Sequence, residues 1–274
     1  MTISLTPLPY VIEDQYDDGL NTCHYTFAPI ETNSVINTVI PGQFFMLTIP
    51  GEGEMAITFS SLPDVNGFFS AIVRSTGRVT RSLFALSKGA VVGIRGPLGK
   101  GWPLKYLANK NICLIAGGCG LATLSPLMDS LIQQGNSPVL VYGAKDKRSL
   151  VLNVEWARWQ QSSVLVQVLM DGQYASEGES KSCLEGNPVE HIDRIVAEQK
   201  RVPDVVLTCG PEIMMAAVAE KMVSIGLSPN NIYLSLERRM HCGVGTCGHC
   251  YFGDRYVCTD GPTFSWSEFT ALVN

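Results

Sequence analysis

The pattern of apolar residues changes at Pro103, and this change limits the possible fold more than any other feature of the chain. Before Pro103, six short β-rich runs alternate with turns, from YVIED at residues 10–14 to AVVGIRG at residues 90–96. Strands at this spacing are typical of an antiparallel barrel or sandwich. One run, from Val79 to Ser87, instead has apolar residues at helical spacing and predicts a short helix within the β region.

After Pro103, near-continuous apolar runs alternate with segments of helical pattern. The runs predict strands at residues 111–116, 138–144, 163–170, 204–210 and 231–236, and helices are predicted at residues 126–134, 150–160, 189–199 and 212–225. This alternation indicates a parallel sheet covered on both faces. The polar, Gly/Ser-rich residues 171–188 are predicted to form a surface loop, and the chain from Glu237 onward is predicted to be loop-like.

Four of the nine cysteines fall within 17 residues: Cys242, Cys247, Cys250 and Cys258. Their C-x4-C-x2-C-x7-C spacing differs from the paired C-x2-C knuckles of zinc ribbons and begins like the cysteine run of plant-type [2Fe-2S] ferredoxins. We therefore expect the four cysteines to bind an iron-sulfur cluster. The intervening Gly243, Gly245 and Gly248 would let backbone N–H groups approach the sulfur atoms. A structural zinc site and buried free cysteines are the alternatives, and His249 is expected beside the ligands.

A glycine-rich turn follows the first strand of the α/β region. It comprises Gly117, Gly118, Cys119 and Gly120, and Ser125-Pro126 is predicted to cap and begin the next helix. Glycines between a strand and a helix N-terminus let a pyrophosphate approach the backbone amides. The match to G-x-G-x-x-G is partial, because Thr123 replaces the third glycine. A tight turn without a ligand is the alternative.

Three further segments are candidate contacts of a bound nucleotide. Cys209-Gly210-Pro211 ends the fourth α/β strand and should face the Gly117 turn at the switch point of the sheet. The tip of the second strand is Gly143-Ala144-Lys145. It has no acidic residue, and Lys145 is the first of several basic residues there. The segment from Arg74 to Thr80 includes Arg78 and offers backbone amides for a phosphate. Ordinary capped turns are the alternatives.

Charge and composition exclude some classes of partner. Twenty Lys and Arg against 25 Asp and Glu give a net charge of -5, which offers no field to hold a nucleic acid. Charged residues make up only 16%, which suggests that other subunits cover part of the surface. The first residues lack a secretory pattern, and the uncharged stretch from Asn111 to Met128 is broken by glycines and a proline, so we expect a cytoplasmic protein without a membrane span.

Together these motifs resemble the ferredoxin-reductase-like FAD/NAD(P) proteins over nearly the whole chain. The resemblance is narrowest for the group that holds the gamma (diaphorase) subunit of cytoplasmic nickel-iron hydrogenases, the corresponding subunit of anaerobic sulfite reductase and the electron-transfer subunit of dihydroorotate dehydrogenase. Residues 235–250 and 257–264 carry it most clearly and look like the hydrogenase and sulfite reductase branch. The implied fold is α/β plus β, with an FAD-binding β-barrel at 1–104, an NAD(P)-binding α/β domain at 105–235 and a [2Fe-2S] segment at 236–274.

The resemblance also implies site residues. Met55 to Ser61 takes the place of the family's flavin motif R-x-Y-S-x-x-S, with Thr58 as the catalytic residue facing flavin N5. Because Met55 and Ile57 replace the arginine and tyrosine, the pyrophosphate contact should come from Arg74 and the Gly77 turn. The implied flavin contacts are Ile57, Thr58, Phe59, Ser60, Val73, Arg74, Gly77, Arg78, Val79 and Thr80. The nicotinamide contacts are Gly117, Gly118, Cys119, Gly120, Gly143, Ala144, Lys145, Cys209, Gly210 and Pro211, with Cys209 as a second catalytic candidate.

The expected function is that of an electron-transfer subunit between NAD(P)H and a partner redox subunit, using FAD and a [2Fe-2S] cluster. A hydrogenase is the first candidate partner and a sulfite reductase the second. A free-standing NAD(P)H-ferredoxin reductase and a non-enzymatic zinc-binding assembly module are the alternatives. The aromatic tail suits either a subunit interface or a local core; its members are Tyr251, Phe252, Phe264, Trp266 and Phe269.

Overall fold

The structure is a computed structural model that describes residues 5–31, 36–170 and 183–273. By internal contacts the chain forms two compact units. Unit 1 comprises residues 1–102 and 237–262, and unit 2 comprises residues 103–236 and 263–274. The predicted division at residues 104 and 235 into three segments stays a prediction.

Unit 1 contains a six-stranded antiparallel sheet, as the run of short strands predicted. Its strands are β1 (Leu8–Asp17), β2 (Thr22–Pro29), β3 (Phe44–Ile49), β4 (Gly53–Thr58), β5 (Phe69–Arg74) and β6 (Val91–Leu98), in the order β4-β3-β6-β1-β2-β5. The two outer strands are bridged just beyond β4, where the Ser60 amide donates to the Ser70 carbonyl at 2.8 Å. Helix α1 (Arg78–Phe84) confirms the predicted short helix but ends before Ser87.

The core of unit 1 is aromatic and follows from the alternation of side chains along each strand. Tyr25 and Phe27 on β2, and Phe45 on β3, point to the same buried interior. The Phe59 ring lies there too, with its centroid 4.7 Å from that of Phe45 and 4.8 Å from that of Phe69. This packing fixes the register of β3 and β5. It also fixes the position of the chain at Thr58, because Phe59 follows Thr58 directly.

Unit 2 confirms the predicted parallel sheet covered by helices. Its elements are β7 (Ile112–Gly117), α2 (Leu121–Gln133), β8 (Val139–Ala144), α3 (Asn153–Trp159), β9 (Val164–Leu169), β10 (Cys183–Glu185), α4 (Ile192–Gln199), β11 (Val205–Cys209), α5 (Glu212–Ser224) and β12 (Ile232–Ser235). These strands are parallel, in the order β10-β9-β8-β7-β11-β12. Strand order therefore reverses between β7 and β11.

Two predictions for unit 2 are wrong in detail. Helix α2 begins at Leu121 with Gly120 as its N-cap, so Ser125-Pro126 does not begin it and Pro126 lies inside. Burial of Leu121, Leu124 and their neighbours stabilises this extra turn. This burial offsets the loss of the backbone hydrogen bond that Pro126 cannot make. Within the predicted loop at 171–188, residues 183–185 form β10 beside β9, and residues 171–182 lie outside the described residues.

The uncharged stretch from Asn111 to Met128 forms β7, a turn and the first part of α2, as predicted. Among the described residues, no helix combines the length and the apolar character needed to cross a membrane.

The chain after Glu237 is more regular than the predicted loop. Within unit 1 it forms a hairpin of β13 (Tyr251–Phe252) and β14 (Arg255–Tyr256) and then α6 (Val257–Asp260). Within unit 2, β15 (Thr263–Ser265) adds to the sheet antiparallel to β12, and α7 (Trp266–Val273) follows. Four of the five tail aromatics are buried, and Tyr251 is exposed. Phe264, Trp266 and Phe269 belong to unit 2 and not to the unit of the cysteine loop, so the predicted local core around that loop stays a prediction.

Candidate functional site

The four clustered cysteines lie in unit 1, on the loop before β13 and on α6. Gly243, Gly245 and Gly248 have φ angles of +73°, +76° and +73°. This left-handed backbone, which glycine adopts readily, turns amides toward sulfur. The amides of Val244 and Thr246 donate to Cys242 Sγ at 3.4 and 3.3 Å, and the Gly245 amide donates to Cys258 Sγ at 3.1 Å. The loop therefore presents N–H groups to two of its thiols before any metal is bound.

The electrostatics of the thiols follow from these contacts. Burial raises the pKa of the Cys242 thiol, but hydrogen bonds from Thr246, Val244 and Cys247 outweigh burial and lower that pKa to about 6. Burial first, and then a hydrogen bond with Cys250, raise the pKa of the Cys258 thiol. The hydrogen bonds thus favour the thiolate form of Cys242, which is the form that binds metal, whereas burial favours the protonated form of Cys258.

The four thiols are neighbours. Cys242 interacts with Cys247, and Cys258 interacts with both Cys250 and Cys242. Across residues 5–31, 36–170 and 183–273, no three His, Cys, Asp or Glu side chains form a group able to hold a single metal ion. Cys242, Cys247, Cys250 and Cys258 therefore form one group of mutually interacting thiols.

Two charged residues that sequence reasoning missed hold the cysteine loop. Arg95, buried on β6, donates from Nη1 to the Cys242 carbonyl at 2.6 Å. Its Nε and Nη2 donate to the two carboxylate oxygens of Glu54 on β4, at 2.8 and 2.7 Å. These bonds are the main cause that lowers the pKa of Glu54. The available signal was an arginine within the apolar run AVVGIRG, because arginine is rarely buried unless it is paired.

Gly243 seats the loop against the sheet. A Cβ atom at Gly243 would lie 2.8 Å from Leu98 Cδ1 and 3.3 Å from Met46 Cγ, so a side chain does not fit. His249 is exposed beside the candidate ligands, with Nδ1 3.1 Å from the Cys247 carbonyl and its ring 4.2 Å from that of His241. Gly243, which follows Cys242 directly, therefore packs against β3 and β6.

The flavin-motif candidates divide into accessible and buried positions. Ile57 and Thr58 are half-buried on β4, an outer strand of the sheet, and Thr58 Oγ1 donates to the Gln43 carbonyl at 3.3 Å. Phe59 and Ser60 are buried, and the Phe59 ring is part of the aromatic core. Ile57 and Thr58 therefore offer side chains to a ligand, and Phe59 and Ser60 can offer mainly backbone.

The phosphate candidates lie at the other end of β4. A Cβ atom at Gly53 would lie 3.3 Å from Val79 Cγ2, which places the start of α1 beside the start of β4. The Thr76 and Gly77 amides already donate to Thr80 Oγ1, at 3.0 and 2.8 Å. At about 3.3 Å per residue, Gly53 and Thr58 are about 17 Å apart along the strand.

The three remaining residues of that group differ in exposure. Arg78 donates to the Glu52 carbonyl at 2.6 Å and forms an exposed ion pair with that residue's carboxylate at 3.6 Å. Val73 is buried, whereas Arg74 is exposed at the end of β5. Arg74 and the first amides of α1 are thus the groups best placed for an anion.

In unit 2 the structure brings the two predicted glycine turns together. A Cβ atom at Gly210 would lie 3.0 Å from Gly117 Cα, and one at Gly120 would overlap the Cys209 carbonyl. Gly118 has a φ of +55°. This close approach lies between β7 and β11, where strand order reverses and where open α/β sheets bind ligands.

The other nucleotide candidates have structural surroundings of their own. The Cys209 thiol is buried, with Sγ 3.9 Å from the Ser235 carbonyl. A Cβ atom at Gly143 would lie 2.5 Å from Pro188 Cγ, so packing alone accounts for glycine there. Cys119 is half-buried, Ala144 is buried, and Lys145 and Pro211 are exposed. Lys145 is therefore the accessible group at the tip of β8.

Three family models match consecutive parts of the chain. Residues 11–102 match an oxidoreductase FAD-binding domain, residues 114–220 an oxidoreductase NAD-binding domain, and residues 237–270 the iron-sulfur cluster binding domain of dihydroorotate dehydrogenase B. Two Pyrococcus furiosus proteins are close in sequence. Sulfhydrogenase 1 subunit gamma is 34% identical over 85% of this chain and 82% of its own length. A probable dihydroorotate dehydrogenase B (NAD(+)) electron transfer subunit is 36% identical over 85% and 81%.

The fold has a solved counterpart in the structure of an NADH-dependent reduced ferredoxin-NADP oxidoreductase. The superposition has a TM-score of 0.75 with 24% identity and covers 98% of this chain and 92% of that one. Both subunit types named above match at similar identity, so membership of the hydrogenase and sulfite reductase branch stays a prediction.

Proposed function

The chain belongs to the ferredoxin-reductase-like family of FAD- and NAD-binding electron-transfer subunits with a dihydroorotate-dehydrogenase-B-type iron-sulfur domain, and from this premise we propose that it moves electrons between NAD(P)H and a partner redox subunit. The observation that carries the proposal is the seating of the cysteine loop on the candidate flavin sheet. Hydrogen bonds run from Glu54 on β4, through Arg95 on β6, to the carbonyl of Cys242. The same strand β4 carries Ile57 and Thr58.

A [2Fe-2S] cluster is the type that the C-x4-C-x2-C-x7-C spacing favours. In such a cluster each iron takes two cysteine thiolates, so we assign Cys242 with Cys247 to one iron and Cys250 with Cys258 to the other. A zinc ion would need all its ligands within about 2.3 Å of one point. The amides that already donate to Cys242 and Cys258 would stabilise the added negative charge.

The flavin residues follow from their positions along β4. Ile57 offers an apolar surface and Thr58 a hydroxyl at one end. At the other end, Arg74 and the amides of Arg78 and Val79 would hold the pyrophosphate. A flavin nucleotide extended along the strand would reach both groups. When bound, the flavin accepts a hydride from a nicotinamide and releases its two electrons singly to the cluster.

The nicotinamide dinucleotide belongs at the paired glycine turns of unit 2. Gly117, Gly120 and Gly210 let the two turns approach each other closely, and Gly118 gives the first turn its left-handed backbone. The pyrophosphate would lie at this point because strand order reverses there. Cys209 would act through its backbone, because its thiol is buried. Lys145 is the candidate contact for the adenosine end.

The partner is another subunit of a redox complex, with a hydrogenase as the first candidate and a sulfite reductase as the second. Sulfhydrogenase 1 subunit gamma, by its name, is one subunit of such an enzyme. Exposed Tyr251 follows ligand Cys250 directly and offers an aromatic contact at the cluster end.

Metal and flavin analysis after anaerobic purification tests the proposal. We expect one FAD, two iron and two sulfide per chain, with the visible absorption of both groups. Stoichiometric zinc without iron would contradict the proposal and favour the zinc-binding assembly module.

Single cysteine variants test the ligand assignment. Cys247→Ser or Cys250→Ser should remove the iron-sulfur absorption while flavin reduction by NAD(P)H stays measurable, because each change removes one thiolate from an iron. Cys23→Ser is the matched control, since Cys23 is buried on β2 of the same unit, where Sγ donates to the His24 carbonyl. Equal loss of absorption in the control would show that the ligands are assigned wrongly.

A further inference from the structure

Arg95 is a buried cation in contact with the main chain of a proposed cluster ligand. All three nitrogen atoms of its guanidinium donate: Nε and Nη2 to the Glu54 carboxylate, and Nη1 to the Cys242 carbonyl. Its side chain is 5% exposed, against 25% for Glu54. Thr48 Oγ1 donates to the same carboxylate at 2.8 Å and fixes its orientation. The guanidinium is therefore held from both sides in one geometry.

Of the two paired side chains, Arg95 is nearer to the cysteine loop than Glu54 is. Arg95 bonds the Cys242 carbonyl directly, whereas Glu54 reaches that carbonyl only through Arg95. Reduction adds one negative charge to an iron-sulfur cluster, and net charge and hydrogen bonds around the cluster set its potential. In a buried site a nearby cation acts with little screening by salt. The nearer positive charge should thus favour the reduced cluster, and Glu54 should partly offset it.

We propose that Arg95 is a positioning residue that anchors the first ligand of the cluster and, with Glu54 as its counter-charge, sets the reduction potential of the cluster. This inference rests on the proposed function, because it takes Cys242 as a ligand. It explains why an apolar strand carries an arginine and why that arginine is paired with a residue on the candidate flavin strand. Lysine cannot replace it fully, because an ammonium lacks the planar fork that holds Glu54 and the carbonyl together.

The test is a redox titration of the whole purified holoprotein, in which the EPR signal of the reduced cluster is measured at each potential. Arg95→Gln should lower the equilibrium constant for one-electron reduction by about tenfold, a shift of about 59 mV to more negative potential. Glu54→Gln should shift the potential in the opposite direction, because it leaves the Arg95 charge uncompensated. Arg95→Lys should keep a potential closer to that of the parent chain than Arg95→Gln does.

Lys88→Gln is the matched control, because it removes a cation of the same unit from an exposed ion pair with Glu13 at 3.3 Å. Shifts of the same sign in Arg95→Gln and Glu54→Gln, or shifts no larger than in the control, would overturn the inference. If Arg95→Gln loses its cluster, retention of the cluster in Arg95→Lys and a positive shift in Glu54→Gln support the inference, and failure of either overturns it.

Iron and sulfide content of the parent chain separates the two proposals. A parent chain with zinc or without iron refutes the proposed function itself. A parent chain with its cluster and unchanged potentials in all variants refutes only the role of Arg95.

Discussion

Gly118 and Gly135 both adopt left-handed backbone, with φ angles of +55° and +80°, at opposite ends of helix α2. A side chain at either position strains the backbone to a similar degree. Their surroundings differ, because Gly118 belongs to the turn that meets Gly210 and Gly135 has no atom within 4 Å of an added Cβ. The two positions therefore separate backbone strain from loss of a binding surface.

Gly118→Val should raise the Kd for NAD(P)H by tenfold or more, about 1.4 kcal/mol, while FAD stays bound. The reason is that a branched side chain fills the space through which the pyrophosphate reaches the backbone amides. Fluorescence titration with both nucleotides measures the effect. Gly135→Val should lower the stability of the fold about as much as Gly118→Val does, but should leave the affinity for NAD(P)H unchanged. An equal loss of affinity in the two variants would contradict the placement of the dinucleotide.

The residues that sequence could and could not find differ in how local their signals are. The cysteine spacing and the three glycines between the proposed ligands are local signals, and the predicted approach of backbone amides to sulfur is present in the structure. Arg95 depends on partners 41 and 147 residues away, Glu54 and Cys242. No short-range pattern encodes such a pairing, so it emerged only from the fold.

At the scale of elements, near-continuous apolar runs predicted the strands of unit 2, because a buried parallel strand needs apolar side chains on both faces. The start of α2 was mispredicted because Ser125-Pro126 is a strong local cap signal, while burial of Leu121 and Leu124 is a tertiary effect. Strand β15 was missed because three residues carry too little periodicity and pair only when β12 is already in place.

The short strand β15 should nonetheless be essential to the stability of unit 2. Phe264 is 1% exposed and lies opposite Leu234 on β12. Phe264→Ala should lower the free energy of unfolding by about 3–5 kcal/mol, because it removes a large buried ring and leaves a cavity. Denaturant unfolding of the holoprotein measures the change.

Val273→Ala on α7 is the control for that measurement, because Val273 is 60% exposed in the same C-terminal segment. It should change the free energy of unfolding by no more than about 0.5 kcal/mol. Similar values for the two variants would show that the C-terminal aromatics do not form a core.

At the scale of the whole molecule, the C-terminal segment is shared between the two units. Residues 237–262, with all four proposed ligands, belong to the unit that carries the candidate flavin strand, and residues 263–274 complete the sheet of the other unit. The matched iron-sulfur domain, residues 237–270, spans this division. The four proposed ligands are therefore part of the unit that carries the candidate flavin strand, rather than part of an appended module.

This organisation determines what the isolated chain can do. Four of its nine cysteines are assigned to one cluster and the other five are scattered along the sequence, so we predict that any terminal chemistry at a nickel-iron centre or a sirohaem takes place on another polypeptide. The pure subunit should oxidise NAD(P)H with dyes or ferricyanide, yet evolve no hydrogen and reduce no sulfite until partner subunits are added. Assays of the three activities on the same preparation, with and without the partners, decide the matter. Appreciable terminal turnover by the subunit alone would refute its role as a carrier of electrons to a partner. If Cys247→Ser loses the reduction of one-electron acceptors but keeps that of two-electron acceptors, electrons leave the chain at the cluster.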